Sequence, residues 1–557
     1  SAAMALFLAT TDSTIVSTSL PTIANEFEAS QTEYTWVSVA YMLTQTVCQP
    51  FYGSISDLVG RKNVLYVSIS IFALGSLLCG AAQSITWLIL ARGLAGVGGG
   101  GIVSSVWVIT SEIVEVHKRA TWSQALSITW SCSAIAGPLL GGVFSSAFST
   151  LVLASIYLPY RHLIVIGQGN SSLGWRWAFY LNLPVCLVAT IVLVLSLYGA
   201  GPKRPKGASW KVFLQRFDFI GLALFISGSC CIIVGFSFAS SNSWTAPSTV
   251  VLIIVGALLL ACAGWYELNT SRDALFPPTA FKNITIVIIL IVNFLHNFAF
   301  NAGTFYLALY YQAVNNSTPL TAGLMLLPYS LGSSLASFPA AWFIHYRQQR
   351  TNNTSGQKLV ICIGLAISCL GFGLLHLLED NTPRNMQSLL PIIAGFGLGL
   401  LFHAPYQIFT NALKPHELAT GTSAFFLVRF TGATVGLAIA GAVFQNELSH
   451  TLPPSFEAQG FESFDMDSLY SISSPMELSQ ALHAVALSVQ SIWTLCSPCL
   501  GFALMVCSCV VIEHVAACAY LMSSLDLSFS AAIIGREPRC TTASRYTVCR
   551  SDTCQNI

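Results

Sequence analysis

Charge is the scarcest property of this sequence. Of 557 residues only 8% are Asp, Glu, Lys or Arg, against about 25% in an average soluble chain. So few charges cannot coat a water-exposed body of this length, which excludes a soluble globular protein. Nor is there an excess of one sign. A net charge of +1 leaves no basic stripe to neutralise phosphates, and so no nucleic-acid partner. The glycine run at 98–101 lacks a following Gly-Lys-Ser/Thr, so nothing supports an ATP site. The 17 cysteines show no metal-ligand spacing; most, such as Cys48, Cys79, Cys132, Cys262 and Cys362, sit singly in apolar runs as small packing residues. The chain opens at Ser1 almost directly into an apolar segment without a signal-peptide cleavage pattern, and a cytoplasmic segment ahead of it is expected.

What the chain has in quantity is apolar length: 54% of residues are hydrophobic and mean hydropathy is +0.68. A spanning helix needs about 20 mainly apolar residues, because lipid offers no partner to backbone amides and carbonyls. Fourteen segments meet that need: 3–23, 35–54, 64–84, 86–108, 122–144, 176–198, 217–238, 249–266, 284–308, 321–345, 358–378, 388–411, 420–444 and 492–512. If the first runs outward, 19 lysines and arginines fall inside and three (Arg161, Arg176, Arg384) outside, with Arg92 and Arg429 within spans. That asymmetry places both termini in the cytoplasm. Residues 145–171 read as an atypical external insert, since a crossing there would invert every basic loop downstream. Residues 515–534 read as part of a cytoplasmic tail for the same reason.

Ordered motifs in five places add function. Between the second and third spans stands Gly53-Ser-Ile-Ser-Asp57-Leu-Val-Gly60-Arg61-Lys62. Its carboxylate and cations can form a cytoplasmic charge cluster about a tight turn at Gly60, or serve as an ordinary positive-inside loop. The fourth span carries Arg92 in Leu90-Ala-Arg-Gly-Leu-Ala-Gly-Val-Gly. The fifth carries Gly137-Pro-Leu-Leu-Gly-Gly142, where Gly137 and Gly141 share one helical face and Pro138 invites a bend. The sixth opens with Gly174-Trp-Arg-Trp-Ala-Phe-Tyr-Leu-Asn-Leu-Pro184, and the first holds Asp12-Ser-Thr-Ile-Val and Leu20-Pro-Thr-Ile. In this order and spacing they resemble the major facilitator superfamily, and more narrowly its fourteen-spanner drug:proton antiporter branch, which includes fungal toxin and multidrug efflux pumps. The resemblance covers residues 1–145 and 172–513.

The resemblance implies an all-α membrane protein with 14 transmembrane helices, in two six-helix bundles plus a two-helix insert. The first bundle would occupy 1–199 and the linker with spans seven and eight 200–270. The second bundle would occupy 271–513, with a long acidic external loop at 445–485, and the tail 514–557. It also implies that Asp57, Gly60, Arg61 and Lys62 form a gate, joined by Glu112 and Arg119. Leu58 stands where the family usually has a cation. Gly137, Pro138, Gly141 and Gly142 would be the antiporter motif favouring export; tight packing without export meaning is the plainer reading. Intramembrane charges are costly unless paired or hydrated, which singles out Asp12, Arg92, Glu112 and Arg429. Asp12 and Arg92 are expected to line the cavity and couple protons, with a structural interhelical bond the alternative for Asp12. Arg429 is expected to anchor the packing face of Gly432 and Gly436 rather than touch substrate.

In the second half Asn293, Asn297 and Asn301 recur at four-residue spacing beside His296, and His403, Gln407 and Asn411 do so beside Tyr406. With Gln45 these are the candidate substrate-cavity residues; interhelical hydrogen bonding is the alternative for each. The expectation is a monomeric proton-coupled exporter of small amphipathic molecules in the plasma membrane, or in the vacuolar membrane, needing no cofactor and having no enzymatic activity. Its partners would be a small-molecule substrate, protons and the lipid bilayer. Uptake of a chelate such as a ferric siderophore, and a non-transporting sensor, stay open. Residues 145–171 and 515–557 match no family motif, and translated intron sequence is one account of both.

Overall fold

The computed structural model describes residues 2–113, 119–145, 174–196, 217–241, 244–270, 283–351, 355–414, 417–452 and 474–533, with a few isolated positions between them. This backbone is almost wholly helical. Helices α1 (Ala2–Glu26), α2 (Gln31–Val59), α3 (Arg61–Gly80), α4 (Ile85–Ile113) and α5 (Arg119–Ser145) come first, then a short α6 (Arg176–Tyr180) leading into α7 (Asn182–Ser196). Helices α8 (Phe219–Ser241) and α9 (Pro247–Asn269) pack on each other. The second half holds α10 (Ile284–Ala313), α11 (Pro319–Thr351), α12 (Ser355–Leu375), α13 (Arg384–Leu400), α14 (Ala404–Asn411), α15 (Leu418–Thr451) and α16 (Pro475–Ile533).

Local chemistry sets several boundaries. Ser30 and Glu33 form a reciprocal capping box at the start of α2, with the Ser30 amide donating to Glu33 Oε2 at 3.0 Å. Gly60 turns α2 into α3 at φ +98°, a backbone conformation that side chains disfavour, so the expected tight turn is present. The expected span 388–411 is broken. After Leu400 the chain makes tighter i→i+3 turns, with Leu401 N donating to Leu398 O at 3.0 Å, and α14 then starts with Pro405 in its first turn. Proline has no amide to continue the ladder, which accounts for the interruption. Helix α15 continues to Thr451 and α16 begins at Pro475, so helix extends into both ends of the expected 445–485 loop. Helix α16 then runs unbroken to Ile533, through residues expected in the tail. At about 1.5 Å per residue its 59 residues far exceed one bilayer crossing. Residues 146–173 and 534–557 lie outside the described residues, and with them most of the external insert and the end of the tail.

By length and apolar composition, 11 helical segments among the described residues can cross a membrane. Helices α1, α2 and α11 coincide with three further expected spans but are diluted by Ser, Thr and Gln. The structure supplies the reason. Their polar side chains, among them Thr14, Ser17, Thr18, Gln49, Ser330 and Ser333, are turned into the protein and buried. Lipid instead meets large apolar side chains: Leu90, Leu195, Trp265, Trp342 and Met505 are each at least 65% exposed. This inside-out distribution is what a bilayer solvent requires.

Each half is built around a glycine-lined helix. A Cβ on Gly98 would lie 2.3 Å from Phe72 N of α3, and one on Gly100 2.9 Å from Gln45 O of α2, so α4 is pressed between α2 and α3. Cβ atoms on Gly397 and Gly399 of α13 would likewise lie 2.3 Å from Ser368 N of α12 and 2.0 Å from Ser333 O of α11. The run at 98–101 is therefore a packing surface. Between the halves, α5 packs on α11, and α15 on α2.

Candidate functional site

Asp12 lies midway along α1 and Arg92 in the first third of α4, and their side chains are almost completely buried. Arg92 Nη1 donates to Asp12 Oδ2 at 2.5 Å, and Asn182 Nδ2 donates to Asp12 Oδ1 at 2.7 Å. Asn182 also donates to Ser76 Oγ at 3.1 Å. The other side of the guanidinium lies 4.2 Å above the Tyr41 ring, whose hydroxyl donates to Ala9 O at 2.8 Å. One carboxylate thus ties α1, α3, α4 and α7 together, with α2 closing the cage. The two candidates for proton coupling meet directly, within a packed node of five helices. Asn182, Ser76 and Tyr41 complete it and were not singled out from the sequence. Asn182 had a signal, as an amide within the apolar Trp-Arg-Trp segment.

The segment expected to be an antiporter motif faces α1 and α11. Cβ atoms on Gly137 and Gly141 would lie 2.0 Å from Thr14 Oγ1 and 2.1 Å from Ile15 O. One on Gly142 would lie 2.5 Å from Pro319 O of α11. The Pro138 carbonyl accepts from Thr18 Oγ1 at 2.8 Å and closely approaches Gly323 of α11. The same turn of α5 therefore meets α1 on one side and the other half of the chain on the other.

At the turn between α2 and α3 Arg61 is buried and donates to Ser56 Oγ and, at 3.5 Å, to Gly53 O, while Lys62 is half-buried. The side chains of Asp57, Glu112 and Arg119 lie outside the described residues.

The cavity candidates of the second half mostly satisfy one another. Asn293 Nδ2 donates to Phe425 O at 3.0 Å, Asn297 to Asn293 O at 2.8 Å and Asn301 to Asn297 O at 3.0 Å. His296 Nε2 lies 3.1 Å from Leu398 O and His403 Nε2 2.6 Å from Gln407 Nε2, while Tyr406 pairs with Thr422 at 3.3 Å. These bonds tie α10 to α13 and α15, and α14 to α15. Gln45 is buried against Gly100 of α4, and Asn411 is exposed.

Comparisons with known proteins agree with this architecture. The sequence profile described as Major Facilitator Superfamily matches residues 2–437. The chain is 29% identical over 517 residues to the MFS-type transporter ppz2 of Metarhizium majus, covering 90% of this chain and 82% of that one. It is 28% identical to efflux pump dotC of Dothistroma septosporum, covering 80% and 70%, and 28% to efflux pump FUS6 of Gibberella moniliformis, covering 81% and 74%. A bacterial homologue of the human lysosomal transporter Spinster, inward-facing and unoccupied, superposes with a TM-score of 0.59 at 16% identity, covering 91% of this chain and 95% of that one. A bacterial homologue of the human drug peptide transporters PepT1 and PepT2 does so at 0.56 and 14%, covering 92% and 98%. At these identities the two structures speak to the fold alone.

Proposed function

Because this chain belongs to the major facilitator superfamily, and is therefore a multi-pass membrane transporter and not an enzyme, we propose that it exports small amphipathic molecules in exchange for protons by alternating access. The observation that carries the proposal is the buried node of Asp12, Arg92 and Asn182. A carboxylate in that position can exist with or without its proton. Without it, Asp12 holds α1, α4 and α7 together through Arg92 and Asn182. With it, the negative half of the pair is gone, Arg92 loses its counter-ion, and the tie between these helices loosens. Glycine contacts carry such a change along α1 to α5, whose motif turn abuts α11. The resemblance to proteins named efflux pumps favours export.

The energetics suffice with one proton. A membrane potential of about 100 mV supplies roughly 2.3 kcal/mol per charge, and one pH unit adds about 1.4 kcal/mol. Together they sustain a concentration ratio of several hundred for a neutral solute. We read the fold as 14 crossings in two six-helix bundles, with α8 and α9 as the insert, both termini cytoplasmic, and a monomer in the plasma membrane. No nucleotide or cofactor is needed.

The test is energised export from a pump-deficient host and from sealed vesicles, comparing the parent with Asp12→Asn. Export by the parent should collapse with a protonophore, and Asp12→Asn should insert normally yet fail to accumulate substrate against a gradient. Undiminished export by Asp12→Asn refutes the coupling role.

A further inference from the structure

Arg92 and Arg429 are both buried well inside helices that can span a membrane, and they are treated in opposite ways. Arg92 is fully provided for, with the Asp12 carboxylate and backbone carbonyls of Asp12 and Val37 as acceptors. Arg429 on α15 is 5% exposed, its Nε is completely buried without a hydrogen-bond partner, and no carboxylate pairs with it among the described residues. What surrounds it is aromatic. Its Cζ lies 4.1 Å from the ring centroid of Trp130, 5.5 Å from that of Phe402 and 6.0 Å from that of Phe426. The box continues outward, with Trp130 stacked on Phe426 at 6.3 Å and 11°, and Trp107 edge-on to Tyr406 at 4.5 Å.

Two features make this more than a packing contact. The first is the incomplete compensation. Ring faces attract a cation, but an intramembrane charge without a counter-ion retains a substantial desolvation penalty. The second is position. Trp107 and Trp130 belong to α4 and α5, and Arg429, Phe402 and Phe426 to the second half of the chain, so the box straddles the division between the halves. Arg429 is 11 residues beyond Leu418 at the start of α15, and Trp130 is 11 beyond Arg119 at the start of α5. At 1.5 Å per residue both lie about 16 Å along their helices. Gly432 and Gly436 pack on α10, where a Cβ would lie 2.4 Å from Phe294 O and 2.7 Å from Phe298 Cα, whereas Arg429 reaches α5.

We propose that Arg429 and the aromatic box formed with Trp130, Phe402 and Phe426 bind the anionic group of the transported molecule, which makes an aromatic or conjugated organic anion, such as a carboxylate, the preferred substrate class. The planar guanidinium presents paired N–H donors to a carboxylate, and the rings take up the apolar body that carries it. The proposal deepens the transport reading above by naming the substrate class of that machinery.

Binding tests it independently of coupling. Equilibrium dialysis of the purified full-length protein should show 2-naphthoate bound at least ten-fold more tightly than its neutral analogue 2-naphthamide. Arg429→Gln should abolish that preference by weakening naphthoate alone, and Arg429→Lys should retain a reduced preference. Equal or undetectable naphthoate binding by the parent overturns the proposal, as does an undiminished preference in a folded Arg429→Gln. If the Gln variant is not monodisperse, the Lys variant decides: full preference there overturns the proposal, and a several-fold reduction supports it. Should Asp12→Asn export normally while Arg429 still governs naphthoate binding, the coupling assignment falls and the anion site stands.

Discussion

Replacing Arg92 with Gln leaves the Asp12 carboxylate buried among five helices with only Asn182 donating to it. Breaking a buried pair by removing one partner costs about 3–5 kcal/mol, most of it the uncompensated charge left behind. Asp12→Asn has the mirror-image effect, stranding the Arg92 guanidinium over Tyr41 with two backbone carbonyls in reach. The double variant Asp12→Asn/Arg92→Gln buries no charge at all. It should therefore be no less stable than either single variant, giving a coupling of at least about 3–5 kcal/mol. Chemical denaturation of detergent-solubilised protein, read as a double-mutant cycle, measures this. Export by the double variant should still be lost, since its stability is restored without a titratable group. If the single losses simply add, the two side chains act independently and the node described here does not govern the helix assembly.

Gly137→Ala should lower thermal stability and be partly rescued by Thr14→Ala, because the nearest obstruction is the Thr14 hydroxyl; Gly141→Ala should not be rescued by Thr18→Ala, because the Ile15 carbonyl oxygen stands in the way. Size-exclusion profiles after heating distinguish the two. The sulfurs of Cys362 and Cys507 lie 3.7 Å apart. Mild oxidation should join α12 to α16, so that a protease cut engineered between residues 452 and 474 releases no fragment until reductant is added; Cys362→Ser should abolish the effect. Glu26 accepts from Trp175 Nε1 at 2.5 Å and Arg176 Nη1 at 2.8 Å at a partly solvated site. Glu26→Gln should cost only about 1 kcal/mol, measured in the same denaturation assay.

The parts of this protein legible in its sequence are those dictated by the bilayer. Apolar length located the helices from α3 to α15 to within seven residues at either end, and Gly60 announced its turn because few other residues adopt that backbone. The face of α10 bearing Asn293, Asn297 and Asn301 followed from helical spacing. The break at 401–403 was less visible, because the residues on both sides of Pro405 are apolar enough to read as one span. The partners of Asp12 could not be read from spacing at all, since Asn182 is 170 positions away and meets it only after α7 has packed beside α1. Arg429 illustrates the same limit: its neighbouring glycines suggested a packing role, and only the folded chain brings Trp130 to its face.

The glycine run of α4 has a genetic consequence. A missense change in any of codons 98–101 adds at least a methyl group, and at Gly98 and Gly100 that atom would press on the backbone of Phe72 and Gln45 rather than on a side chain able to swing aside. In a saturation library selected for activity this tract should appear as a gap four codons wide, while nearby Leu90, which faces outward, should accept almost any apolar replacement.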